Sequence, residues 1–194
     1  MTWAAEAESS FVGAGLEVAV RETFGDLAVD VASDDWVDAV TTARDDLHLE
    51  FFDWLSAVDE GDDGFHVVTH LYDPVSHRHL LLRTNVGKHD PSVPTLTGVF
   101  RGASWHERET HEMFGIDFPG HPYLIPLLLP DGFEGHPLRK EFVLAARAAK
   151  PWPGAKEPGE SDRDGAPGRR KTLPPGVPDP EVWGPRAPSP EDAP

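Results

Sequence analysis

The chain has 194 residues, no cysteine and a formal net charge of −17. Without cysteine there are no disulfides, thiolate metal sites, iron–sulfur ligands or Cys nucleophiles, so redox work here needs an organic cofactor or a metal on His and carboxylates. The charge is lopsided: residues 1–100 carry 19 acids against 5 Lys and Arg, residues 101–194 carry 15 against 12, and an acidic first half repels nucleic acid and anionic lipid.

The length suits one core with an extension. The N-terminus carries acids where a secretory signal carries basic residues, and the longest apolar run, residues 124–129, is broken by Pro126. That run is far short of the ~20 residues of a membrane span. A soluble chain is expected, held at a membrane only by partners.

Residues 6 to about 24 read as a moderately amphipathic helix with Phe11, Leu16, Val20 and Phe24 as its apolar stripe. Residues 27–31 alternate and suit a strand. Ser33 is positioned to cap the next helix, with Asp34 and Asp35 at the positive end of its dipole. There Trp36, Val40, Ala43 and Leu47 form one buried face. Residues 51–58 are an apolar stretch ending in an acidic turn. Residues 65–72 and 77–85 read as strands joined by D-P-V-S, an antiparallel hairpin. Residues 93–99 suit a short edge strand after Pro91.

Residues 103–114 read as a helix capped by Gly115, with Glu107 over His111 and Arg108 over Glu112 at a spacing of four. Residues 117–122 leave it extended, and L-R-K-E-F (residues 138–142) reads as an exit strand. The fold class expected is α+β: a two-layer domain over residues 1–149, a mixed sheet with helices on one face. Residues 150–194, with 12 prolines and 6 glycines, form an extended tail. Trp152, Trp183 and the cluster Arg169, Arg170 and Lys171 suit a strap laid along a partner.

Ten histidines invite a metal site. His106 and His111 mimic the zinc-protease helix with one residue too many, which turns them about 140° apart and denies them a shared ion. His66, His70, His77 and His79 lie on the hairpin, where no carboxylate at fixed spacing joins them, and read as a polar sheet face. His121 and His136 each precede a proline and suit bends. Gly-rich phosphate loops and G-x-S-x-G are absent. A His-based metalloenzyme is therefore a remote alternative.

The stretch 107–142 carries two long motifs, E-R-E-T-H-E-M-F-G-I-D-F-P-G-H-P and D-G-F-E-G-H-P-L-R-K-E-F. Over about residues 50–142 the chain resembles the 30 kDa subunit of respiratory complex I, which in bacteria is the C component of NADH-quinone oxidoreductase. Glu107, Arg108, Glu109, Glu112, Met113, Phe114, Gly115, His121, Pro122 and residues 135–142 match that pattern. Where it usually has basic residues after H-P-x-L, this chain has Ile125, Pro126 and Leu127 to Leu129.

The resemblance implies a non-catalytic peripheral-arm subunit of a proton-translocating NADH:quinone oxidoreductase. FMN, iron–sulfur clusters and quinone would belong to other subunits, with no cofactor in this chain. It implies docking against the hydrogenase-like 49 kDa quinone-site subunit and neighbouring iron–sulfur subunits, at the cytoplasmic face of the cell membrane. Glu107, Arg108, Glu109, Glu112, His121, His136, Arg139, Lys140, Trp152 and Trp183 are the expected docking residues. The nearest alternative is the equivalent subunit of a ferredoxin- or F420-linked complex or a membrane-bound nickel–iron hydrogenase.

Overall fold

The computed structural model describes residues 2–143; the expected tail, with Trp152, Trp183 and the boundary at 149, lies outside them. The described chain forms two units. The first runs through Leu129 and takes in Leu138–Lys140; the second comprises Pro130–Pro137 and residues 141–143.

The first unit is a five-stranded mixed sheet, ordered β1-β2-β5-β4-β3, with three helices. The elements are α1 (Trp3–Gly13), β1 (Val18–Thr23), β2 (Asp26–Val31), α2 (Trp36–Asp45), β3 (Phe51–Asp59), β4 (Phe65–Asp73), β5 (Arg78–Val86) and α3 (Ala103–Phe114). β2 and β5 pair in parallel and the other neighbours antiparallel.

One face of the sheet is the core. Val29, Leu82, Thr69 and Leu55 line up across it by register. They pack with Phe11 of α1, Trp36 and Val40 of α2 and Phe114 of α3, apart from Thr69, which is itself buried. The other face carries His66, His70, Arg83 and Asp30, so alternate residues separate apolar from polar as a one-sided sheet requires.

The predicted helix over 6–24 stops at Gly13, and its second half is β1. Leu16, Val20 and Phe24 are spaced by four, and both a helix and a strand bring residues four apart onto one face. The arbiters are the Gly13 to Gly15 break and the run V-A-V-R-E-T, which favours the pleat. Phe24 then falls in the two-residue β1–β2 turn at φ 56, beside Gly25 at φ 92, and is wholly exposed. Two positive φ values in succession match the twist of a tight hairpin.

Ser33 does not cap α2. It lies in a 3-10 turn, and the helix begins three residues later without a side-chain cap. Trp36, Val40, Ala43 and Leu47 are buried as their spacing predicts. Residues 93–99 do not join the sheet. The Val93 and Thr95 amides donate instead to the carbonyls of Asp117 and Pro119, tying this loop to the chain leaving α3. At Gly64 a Cβ would lie 2.2 Å from the Val86 carbonyl oxygen, so only glycine lets the chain enter β4 beside β5.

Leu82 sits at the centre of the core face with no exposure. Leu82→Ala should lower unfolding free energy by about 2–5 kcal/mol in urea titration, the range for a buried leucine that leaves a cavity.

Candidate partner-docking face

The chemistry of this face comes from α3. Gly102 precedes it, and Gly115 ends it at φ 71, donating to the His111 carbonyl at 2.7 Å as the sequence predicts. His111 turns its Nδ1 to the Ile116 carbonyl at 2.8 Å, while His106 packs its ring against Phe52 at 5.4 Å. The two histidines serve different neighbours.

Glu107 has no exposure. Its carboxylate accepts from the Leu96 amide at 2.6 Å and from the Thr95 hydroxyl, so it fixes the loop running from the sheet into α3. His121, also without side-chain exposure, brings Nε2 to 3.9 Å from the same carboxylate. The Nδ1 of His121 accepts from the Tyr123 amide at 3.0 Å, which leaves Nε2 to carry the ring proton toward Ser104 at 3.1 Å. Burial pushes the Glu107 carboxyl up to about 7, overriding the two donors that favour its charged form. Glu107 and His121 offer no surface to a partner; they act on shape.

Arg108 and Glu112 work on one loop. Arg108 donates to the carbonyls of Ile125 and Pro126, each at 2.9 Å. Glu112 accepts from three successive amides, Leu127 at 3.1 Å and Leu128 and Leu129 at 2.8 Å. The spacing of four that suggested a mutual pair instead aims both side chains at residues 125–129. The Arg108 guanidinium also lies 5.3 Å from the Trp105 ring and 5.8 Å from the Tyr123 ring, within cation–π range. Trp105, Tyr123 and Leu128 are about 60% exposed, and Glu109 stands on the same outer side of the helix.

The segment 138–140 is a turn rather than the predicted exit strand. Its amides go to groups outside any strand ladder: Leu138 donates to the Met113 carbonyl on α3 at 3.1 Å, and Lys140 to the side-chain carboxylate of Asp59 at the end of β3 at 2.7 Å. Arg139 donates to the Phe114 carbonyl and covers the Phe65 ring at 5.1 Å. Burial works against the Asp59 charge, but the Lys140 and Gly61 amides hold its carboxyl below the usual range. A cleft of about 590 Å³ opens beside Arg139, lined by Lys88, His89, Asp90 and Asp117 among others. In the second unit, Phe133 stacks on Phe142 at 6.0 Å and His136 is half-buried.

Thr95, Tyr123 and Asp59 were not singled out as site residues by the sequence. Asp59 ends the S-A-V-D run, which carries part of the resemblance, and that was the available signal. For Thr95 the partner is 12 residues away and nothing in spacing announces it.

Residues 29–148 match the family described as the respiratory-chain NADH dehydrogenase 30 kDa subunit. Over 126 residues the chain is 45% identical to the C component of NADH-quinone oxidoreductase from Roseiflexus sp. (strain RS-1), covering 63% of this chain and 72% of that one. A trypsin-resistant fragment (1–134) of Nqo5 shares the fold with a TM-score of 0.52 at 24% identity, covering 62% of this chain and 95% of the fragment. A chain of the membrane-bound sulfane sulfur reductase, an archaeal respiratory membrane complex, does so at 0.54 and 23%, covering 64% and 75%.

The Glu107 shift sets a pH dependence. Its folded value, about 7, lies above its ordinary 4.5. The folded state therefore holds the proton more tightly, and Glu107 contributes stability in full below pH 4.5 that is lost as pH rises through 7. Relative to Glu107→Gln, the parent should lose about 3 kcal/mol between those limits, the linkage value of such a shift. Urea unfolding of both proteins across that range measures it, and a parent that gains on the variant with rising pH would refute it.

Proposed function

The chain belongs to the respiratory-chain NADH dehydrogenase 30 kDa subunit family, and from that premise we propose that it is a non-catalytic peripheral-arm subunit of a proton-translocating NADH:quinone oxidoreductase. The observation that carries this is the face made by α3. Trp105 on α3 and Tyr123 stand outward on either side of the Arg108 guanidinium, and Arg108 and Glu112 fix a loop without regular structure from which Leu128 is exposed. Exposed aromatics beside arginine are the composition of an interface centre, and a pre-ordered loop lowers the entropic cost of binding.

The partners proposed are the hydrogenase-like 49 kDa quinone-site subunit and neighbouring iron–sulfur subunits. FMN, the clusters and quinone belong to those chains on this reading; the absence of cysteine here supports it for the clusters. The complex sits at the cell membrane with this chain on the cytoplasmic side. Among the described residues no helix is long and apolar enough to cross a membrane, and the respiratory membrane complex among the structural neighbours supports peripheral attachment. The same fold in a sulfane sulfur reductase leaves room for a second reading, the equivalent subunit of a ferredoxin- or F420-linked complex or a membrane-bound nickel–iron hydrogenase. Co-purified flavoprotein subunits that oxidise NADH distinguish the first from the second.

Trp105→Ala combined with Tyr123→Ala should leave the isolated chain's melting temperature within a few degrees of the parent. Assembled complex on native gels of membranes should fall several-fold. Normal assembly with loss of turnover alone would overturn the scaffold reading. Deleting residues 150–194 should likewise leave the domain folded and weaken partner capture; equal capture by both chains would reject the strap.

A further inference from the structure

The guanidinium of Arg108 carries a charge that the described residues leave unbalanced. Arg21, Arg44, Arg78 and Arg83 each meet a carboxylate, at 2.7 to 3.2 Å. Arg108 has two glutamates close by on its own helix and pairs with neither. Glu112 is turned to the amides of residues 127–129, and Glu109 stands on the outer side. Among the described residues no carboxylate forms an ion pair with Arg108.

Its hydrogen bonding is also incomplete. A guanidinium has five N–H groups. Arg108 gives one from Nε to the Ile125 carbonyl and one from Nη2 to the Pro126 carbonyl. The other three, two of them on Nη1, have no acceptor among the described residues. That is enough for the paired oxygens of a carboxylate. The side chain is half-buried, with the Trp105 and Tyr123 rings at 5.3 and 5.8 Å.

Docking changes what this charge requires. A surface seated on Trp105 and Tyr123, each about 60% exposed, covers the guanidinium and strips water from its remaining N–H groups. A charge dried in this way without a counter-ion is strongly unfavourable. Backbone carbonyls would fill the N–H groups and leave the charge unmatched, so the cover has to bring an anion. The net charge of −17 repels an acidic stretch or an anionic lipid surface. The exposed Leu128, on the loop that Arg108 and Glu112 fix, calls for apolar neighbours.

We propose that the partner covering this face seats one aspartate or glutamate side chain on Arg108, between Trp105 and Tyr123, from a segment that is otherwise apolar. This rests on reading the face as the docking surface and adds the chemistry of what docks. Sequence spacing concealed it, because Arg108 and Glu112 four residues apart read as a closed pair.

The test replaces the native chain with Arg108→Lys and treats the membrane complex with a water-soluble carbodiimide. That reagent joins an amine to a carboxylate in contact with it, forming an amide with loss of water. Mass spectrometry should find the introduced amine linked to an Asp or Glu of another subunit, flanked by apolar residues. Arg108→Gln removes the charge, and the chain retained on membranes should fall roughly tenfold or more. If Arg108→Gln does not keep the parent's melting temperature, the cross-link alone decides. Parent-like retention of a folded Arg108→Gln chain overturns the proposal. A complex that holds Arg108→Lys without any link to another subunit overturns it and leaves the scaffold reading standing. A link only to the chain's own carboxylates, residues 144–194 included, overturns it as well. A chain that leaves those membranes without partners sinks both.

Discussion

The outer face depends on one carboxylate closing over three consecutive backbone amides. Residues 127–129 have no strand or helix to take up their N–H groups, and Glu112 accepts all three. Such part-buried amides would otherwise turn to water, so the carboxylate orders the loop by giving all three a fixed acceptor. Because Glu112 is itself anchored on α3 and only 7% exposed, the loop inherits the helix's rigidity. Arg108, one turn earlier, holds the preceding carbonyls, so both polarities of the backbone are satisfied from one helix face.

Glu107 performs the corresponding task on the inner side of α3, and its cost is different. Two donors to a carboxylate in a dry site do not repay desolvation, and the group is pushed toward its protonated form. What the arrangement secures is geometry. The loop before α3 is fixed through Thr95 and Leu96, and the bend after it is fixed through His121, which touches Ser104 on the helix and the Tyr123 amide beyond. Tyr123 is one of the exposed aromatics, so a buried acid and a surface ring are linked through a single imidazole.

Much of this was legible in the sequence, and the failures have physical reasons. The hairpin of β4 and β5, the buried face of α2 and both ends of α3 follow from period, turn residues and a capping glycine. The first helix was overextended because a spacing of four serves both periodicities. Residues 93–99 resemble a strand because they are apolar and follow a proline, yet the Val93 and Thr95 amides bond to the chain after α3 rather than to a sheet strand, while Val93 and Leu96 are buried in the core. The E-R-E-x-x-E run announced that its charges mattered. It could not announce that Arg108 and Glu112 would choose backbone groups 15 to 18 residues away over each other, since loop carbonyls and amides have no sequence signature.

The same geometry explains how residues 125–129 can carry apolar side chains without losing the loop's shape. The five hydrogen bonds from Arg108 and Glu112 to this loop fall on its backbone atoms. Side-chain identity is then released from the work of holding the loop and is left to the surface it meets. Pro126 fits this division, because it gives up an amide that no acceptor is asked to satisfy and offers only the carbonyl that Arg108 takes. A loop held by its backbone keeps one shape whatever side chains it presents. In this chain those side chains include Leu127, Leu128 and Leu129, with Leu128 standing 59% exposed, so this part of the outer face is apolar.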